Sequence, residues 1–176
     1  QGSLQSSIRM GRPTFPKKHS DYIDLSILNE VLGGYFGSRL MKNIREEKGF
    51  TYGIASRLRS FQQEGCLVIG TDVKKEFTKQ TIDEIFYELK QLRTELISED
   101  ELMAVKNYMK GELLGSIGTS FERADKFKHV YLHGLDCGFY QKLYSAIDVI
   151  TPVRLLELAN QYLREEDMLT VVVGGY

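Results

Sequence analysis

The chain has no tryptophan, three prolines and two cysteines in 176 residues. Cys66 and Cys137 form no Cys-x-x-Cys pair, so the sequence is not a disulfide scaffold, and the redox compartment stays open. No apolar run approaches the roughly 18 residues of a membrane-spanning helix. No signal-peptide pattern is visible at the N-terminus. Neither sign of charge dominates: 23 Lys and Arg stand against 24 Asp and Glu, for a net charge of −1. That balance leaves no electrostatic footprint for nucleic acid or an anionic membrane. There is no internal repeat, no low-complexity tract and no linker.

What is present is an ordinary globular balance, 42% hydrophobic and 27% charged, in a length that suits one domain over residues 1–176 with a sizeable core. The expectation is a soluble domain, with cytoplasm and periplasm both open. Leu4 to Met10 reads as a strand and Gly11 to His19 as a loop. Ser20 or Asp21 can cap a helix with Ile23, Ile27, Leu28, Val31 and Leu32 on one face, ended by Gly33-Gly34. A second helix runs from about Ser38 to Lys48 and stops at Gly49. Strands over Tyr52–Ser60 and Cys66–Val73 follow, joined by a Phe61–Gly65 hairpin loop. In the first, Tyr52, Ile54, Ser56 and Leu58 share a face.

The second half is mostly helical. Ile82, Ile85, Phe86, Leu89 and Leu92 form an apolar stripe. Ser98-Glu-Asp-Glu101 reads as a capping box opening a helix with Leu102, Val105, Met109 and Leu113 inward. Helices over Phe121–His133 and Phe139–Ile147 come next. Thr151-Pro152 then caps one that buries Leu155, Leu156, Ala159 and Leu163. Met168–Gly174 is a closing strand. Four strands with helices gathered late predict an α+β two-layer sandwich, a mostly antiparallel sheet covered by helices on one face.

The chemistry concentrates in Arg45-Glu-Glu-Lys-Gly49-Phe-Thr-Tyr52. Arg45 lies about one helical turn before Gly49, roughly 6 Å along the axis, and Tyr52 roughly 10 Å beyond it along a strand. A sharp reversal at Gly49 lets the two long side chains meet. A fixed guanidinium with a phenol suits a substrate carbonyl or a developing oxyanion. The plainer alternative pairs Arg45 with a nearby Glu and makes Tyr52 a half-buried strand aromatic.

Other candidates carry less. His129 and His133 have i, i+4 spacing that suits two ligands to one metal, but no Glu lies between them. Asp125 is about 12 Å from His133 along the axis. The plainer reading puts His133 at a helix C-terminus and His129 on a solvated face, with His19 alone in a loop. Gly33-Gly34-x-x-Gly37-Ser38 joins two helices and lacks the ending of a phosphate loop. Close packing explains these glycines better. Cys66 and Cys137 have no local His, which argues against a nucleophilic thiol. Arg57 and Arg59 alternate on one strand face, where they either line a peptide channel or stand as solvated edge charges.

The segment Leu32-Gly-Gly-Tyr-Phe-Gly-Ser-Arg-Leu-Met-Lys-Asn-Ile-Arg45-Glu-Glu-Lys-Gly49-Phe-Thr-Tyr52-Gly-Ile-Ala-Ser56 resembles the C-terminal domain of the pitrilysin/insulinase zinc metallopeptidases. The likeness extends to Gln5–Gly11, Asp21-Tyr22 with Leu28-Asn29, the Ser98 box and Tyr140–Val173. It implies a division of labour. An N-terminal domain of that family binds zinc through H-x-x-E-H and a distal Glu. The second domain lacks zinc and closes the chamber around the peptide. Its Arg and Tyr, matched here by Arg45 and Tyr52, orient the substrate and stabilise the tetrahedral intermediate.

This chain has no H-x-x-E-H. The resemblance therefore implies no metal or cofactor and no catalytic residue in the chain alone, and no hydrolysis by it in isolation. Zinc is expected in a partner domain in cis or a subunit in trans. It also leaves a homodimer of the isolated domain open. A structural subunit of the same fold, like the respiratory-complex core proteins, is the alternative. A stand-alone hydrolase using His129 and His133 is a third reading.

Overall fold

The computed structural model describes residues 3–174. Strand β1 (Gln5–Thr14) leads to helix α1 (Tyr22–Asn29), which widens into a π-helical turn over Glu30–Gly34. A second π-helical segment, Met41–Glu47, precedes the hairpin of β2 (Thr51–Ser60) and β3 (Gly65–Lys74). Five helices follow: α2 (Thr78–Thr94), α3 (Glu99–Gly115), α4 (Ser120–Leu132), α5 (Gly138–Val149) and α6 (Pro152–Tyr162). Strand β4 (Leu169–Gly174) closes the chain. The sheet order is β2-β3-β1-β4, and every pairing is antiparallel.

The expected two-layer α+β architecture is what forms. Alternation along the strands sends Ile8, Met10, Ile54, Leu67 and Ile69 to one face, each 3% exposed or less. There Met10, Ile54, Leu67 and Ile69 join Leu28, Leu32, Leu40, Ile44, Ile85, Leu89, Leu155 and Leu158 in the main core. The opposite face, which carries Arg9, Arg57, Arg59, Leu169, Val171 and Val173, is open.

Several local expectations change. Strand β1 does not stop at Met10, because residues 11–14 stay in register with β3, from Gly11 opposite Val68 to Thr14 opposite Gly65. Pairing with β4 ends at Gly11, so Pro13 lies where the strand has a partner on one side only and a proline is tolerated. Asp21 takes the N-cap position of α1 but makes no side-chain cap bond. Its carboxylate instead accepts from the Tyr162 hydroxyl at 2.6 Å and from Arg154 at 2.9 Å. At Ser98 only half of the box forms. The hydroxyl accepts from the Glu101 N–H, but the Glu101 carboxylate turns to Arg39. The reciprocal box lies at Thr119 and Glu122. In α6, Leu158 and Tyr162 are buried while Leu156 is only half-buried.

Candidate functional site

Everything around Arg45 follows from how the chain leaves the core on either side of it. Leu40 and Ile44 are fully buried and Met41 nearly so, which fixes the inward face of the π-helical segment. Arg39 forks onto Glu101 of α3 through two 2.8 Å bonds. Asn43 donates to Glu84 at 3.0 Å and Glu88 at 2.7 Å on α2. The segment is thus tied to both helices while Arg45 points away from them. Gly49 has φ +64°, the left-handed value that lets a helix stop and the chain reverse without a Cβ clash. The Phe50 N–H then donates to the Ile44 carbonyl at 3.0 Å.

The reversal brings the two predicted residues together. Arg45 Nε donates to the backbone carbonyl of Tyr52 at 2.9 Å. Its guanidinium carbon lies 6.0 Å from the centre of the Tyr52 ring and 4.6 Å from that of Phe36. Both are cation–π distances. Glu46 stands 4.0 Å away, at the outer limit of an ion pair. Tyr52 is 94% exposed, so it is not a half-buried strand aromatic, nor does it share the buried face of Ile54. The reason is a bulge: Thr51 pairs with Val73 and Ile54 with Thr71, which leaves Tyr52 and Gly53 together opposite Asp72. An extra residue breaks the two-residue alternation and re-aims the side chain. The Thr51 hydroxyl holds this kink, 2.8 Å from the Asp72 carbonyl and 3.2 Å from the Gly53 N–H. Thr71 Oγ1 adds bonds at 2.8 and 2.9 Å to Thr51 Oγ1 and the Gly53 carbonyl.

Phe36 was not foreseen, because a contact between a loop aromatic and a helix residue nine positions later has no sequence periodicity. The bulge did leave a signal, a glycine inside a strand. Gly33 supports the same corner by close packing. A Cβ there would lie 2.7 Å from the Ser56 nitrogen and 2.9 Å from Leu40 Cδ1.

The histidines do not form a metal centre. His129 is largely exposed, as expected, but its Nε2 contacts the Lys17 ammonium. The His129 and His133 rings stack with centroids 4.9 Å apart. His133 directs its two ring nitrogens at the carbonyls of His129 and Ser60. Among the described residues, no three His, Cys, Asp or Glu side chains converge as metal ligands. A zinc ion therefore has no fitting donor set here. His19 is not alone either: it stacks on Phe15 at 3.8 Å and accepts from the Asp21 N–H. Cys66 and Cys137 are free thiols.

Comparison with known proteins supplies the family. Residues 2–109 match the model described as the peptidase M16 inactive domain. An uncharacterized zinc protease of Bacillus subtilis, YmxG, is 28% identical over 169 residues, covering 96% of this chain and 41% of the relative. The chain thus spans about two fifths of that relative's length. Two solved structures share the fold. The peptidase M16 inactive domain from Pseudomonas fluorescens superposes with TM-score 0.88 at 22% identity, over 98% of this chain and 41% of that one. A protease from Helicobacter pylori gives TM-score 0.85 at 20% identity, over 96% and 41%. With a family match over more than half its length and a fold shared with these structures, the chain belongs to the pitrilysin/insulinase zinc proteases as a peptidase M16 inactive domain.

Proposed function

We propose that this domain completes the active site of a zinc-dependent metalloendopeptidase, with Arg45 and Tyr52 contacting the peptide beside the scissile bond. The observation that carries the reading is the oriented pair itself. A guanidinium is held against two aromatic rings and a backbone carbonyl, next to a phenol that is almost wholly exposed. Arg45 Nε is occupied by the Tyr52 carbonyl, and the terminal N–H groups, with only Glu46 at 4.0 Å from Nη1, can meet an incoming carbonyl oxygen. The Tyr52 hydroxyl adds a second donor. Together they would orient a substrate carbonyl and stabilise negative charge as it develops. The hydrolytic metal belongs, on this reading, to an H-x-x-E-H domain in cis or a subunit in trans.

The test is peptide cleavage by this chain combined with that zinc-bearing half. Arg45→Ala and Tyr52→Phe are each expected to slow kcat/KM by about 2–4 kcal/mol of barrier, the usual cost of a lost oxyanion contact, with the thermal midpoint unchanged. Unaltered turnover in both variants would remove the assignment. A stable assembly with no peptidase activity in the parent would favour the structural-subunit reading instead.

A further inference from the structure

The open face of the sheet carries a second feature beside the Arg45–Tyr52 pair. A shallow cavity of 390 Å³ begins at Gly53, the residue after Tyr52, and runs along β2 and across β3 to β1. Its lining includes the small residues Gly53, Ala55 and Gly70 together with Val68, and Arg9, Arg57 and Arg59 line it as well. The register explains the arrangement. Ala55 and Arg9 flank Gly70 from either side, and Arg57 sits opposite Val68. Arg9 lies across Gly70 and is partly neutralised by Asp72 at 3.6 Å. Among the described residues, the side chains of Arg57 and Arg59 make no hydrogen bond or ion pair, while their backbones pair with β3. Two unneutralised guanidinia, a third shared with the one carboxylate of the lining, and a floor of mostly small side chains form a cationic trough leading away from the Arg45–Tyr52 pair.

Resting on the peptidase reading above, we infer that this trough selects acidic peptides, with Arg57 and Arg59 as specificity-determining residues for Asp or Glu side chains outside the scissile bond. Charge complementarity names the occupant. Spacing agrees with it: residues two apart on a strand repeat at roughly 6.5–7 Å on one side, and so do alternate side chains of an extended peptide. Carboxylates at alternate positions therefore meet Arg57 and Arg59 in turn. The glycines and alanine let the peptide backbone approach the sheet closely.

The test compares two fluorescent ten-residue peptides by anisotropy, one with Asp and Glu at alternate positions and one with Asn and Gln in their place. The acidic peptide is expected to bind this chain about tenfold more tightly at low salt, the sum of a few exposed ion pairs. The preference should shrink toward 0.15 M ionic strength. In the Arg57→Gln/Arg59→Gln double variant it should fall to the level of the neutral peptide. Equal affinity for the two peptides, or an acidic preference that survives in the double variant, overturns the inference. So does failure of the acidic peptide to bind. Acidic peptide bound by the chain alone but excluded once the zinc-bearing half is present would make the face a domain interface, and overturns it too. Turnover of the Arg45→Ala assembly decides the peptidase reading independently, because acid selectivity can be absent while that variant still loses activity.

Discussion

Glu30 is a carboxylic acid that the fold holds well away from its ordinary protonation. It sits in the π-helical turn with its carboxylate folded over Gly34. Burial, and secondarily the charge of Glu112, lift its carboxyl from 4.5 to about 7. The folded protein therefore keeps this proton to higher pH than the unfolded chain does, so stability falls as pH rises from about 4.5 to 7. Glu30→Gln should remove that slope and raise stability at pH 8 by roughly 1–2 kcal/mol. Urea midpoints at pH 5 and pH 8 check it, and equal slopes in the two proteins would contradict it. Asp21 has the opposite sign. The hydrogen bond from Tyr162, with help from Arg154, holds its carboxyl below the usual value of 3.8. Its contribution is present above that pH and lost on acidification. Neither carboxylate could be ranked from sequence: Asp21 was read as a local helix cap because its true partners, Arg154 and Tyr162, lie more than a hundred residues away.

Two glycines frame the element that carries Arg45, and they fail for different reasons. At Gly49 a Cβ would meet nothing within 4 Å, but φ is +64°. Gly49→Ala is therefore a conformational penalty of about 1 kcal/mol. Gly33 is not in the left-handed region, but an added methyl meets the backbone of Ser56, which cannot step aside. Gly33→Ala is expected to cost about 1–3 kcal/mol as overpacking. On the proposed function it should also lower peptide cleavage by the assembled protein, since the loop that carries Phe36 moves with it. Denaturant midpoints for the two variants separate the costs, and a neutral Gly33→Ala would contradict the close approach. The legibility of these elements tracks their locality. Gly49 as a stop, the β2–β3 hairpin and the helical stripes are written within a few residues of one another. The face of Tyr52 was misjudged because the bulge depends on hydroxyls from two strands. The Ser98 box forms by half because the Glu101 carboxylate pairs with the distant Arg39.

At the scale of the whole molecule, the helices close one side of the sheet and leave the other bare. The sequence pattern foretold the two layers. It did not foretell the trough, because Arg9 comes to Arg57 and Arg59 only through the placement of β1 beside β3. The donor arrangement at His129 and His133 predicts no stoichiometric zinc uptake by this chain alone. Calorimetric titration checks that, and tight one-to-one binding would revive the stand-alone hydrolase reading.

The pairing of β1 with β4 has a kinetic consequence. Ser6–Gly11 and Leu169–Gly174 are roughly 160 residues apart in sequence, so joining them closes one of the longest loops in the chain, at an entropic cost that must be met before the contact rewards it. The β2–β3 hairpin closes over a few residues and needs no such wait. Assembly of the sheet is therefore expected to proceed outward from the hairpin and its π-helical neighbour, the corner that holds Arg45 and Tyr52 forming early and the strand that seals the far edge arriving last.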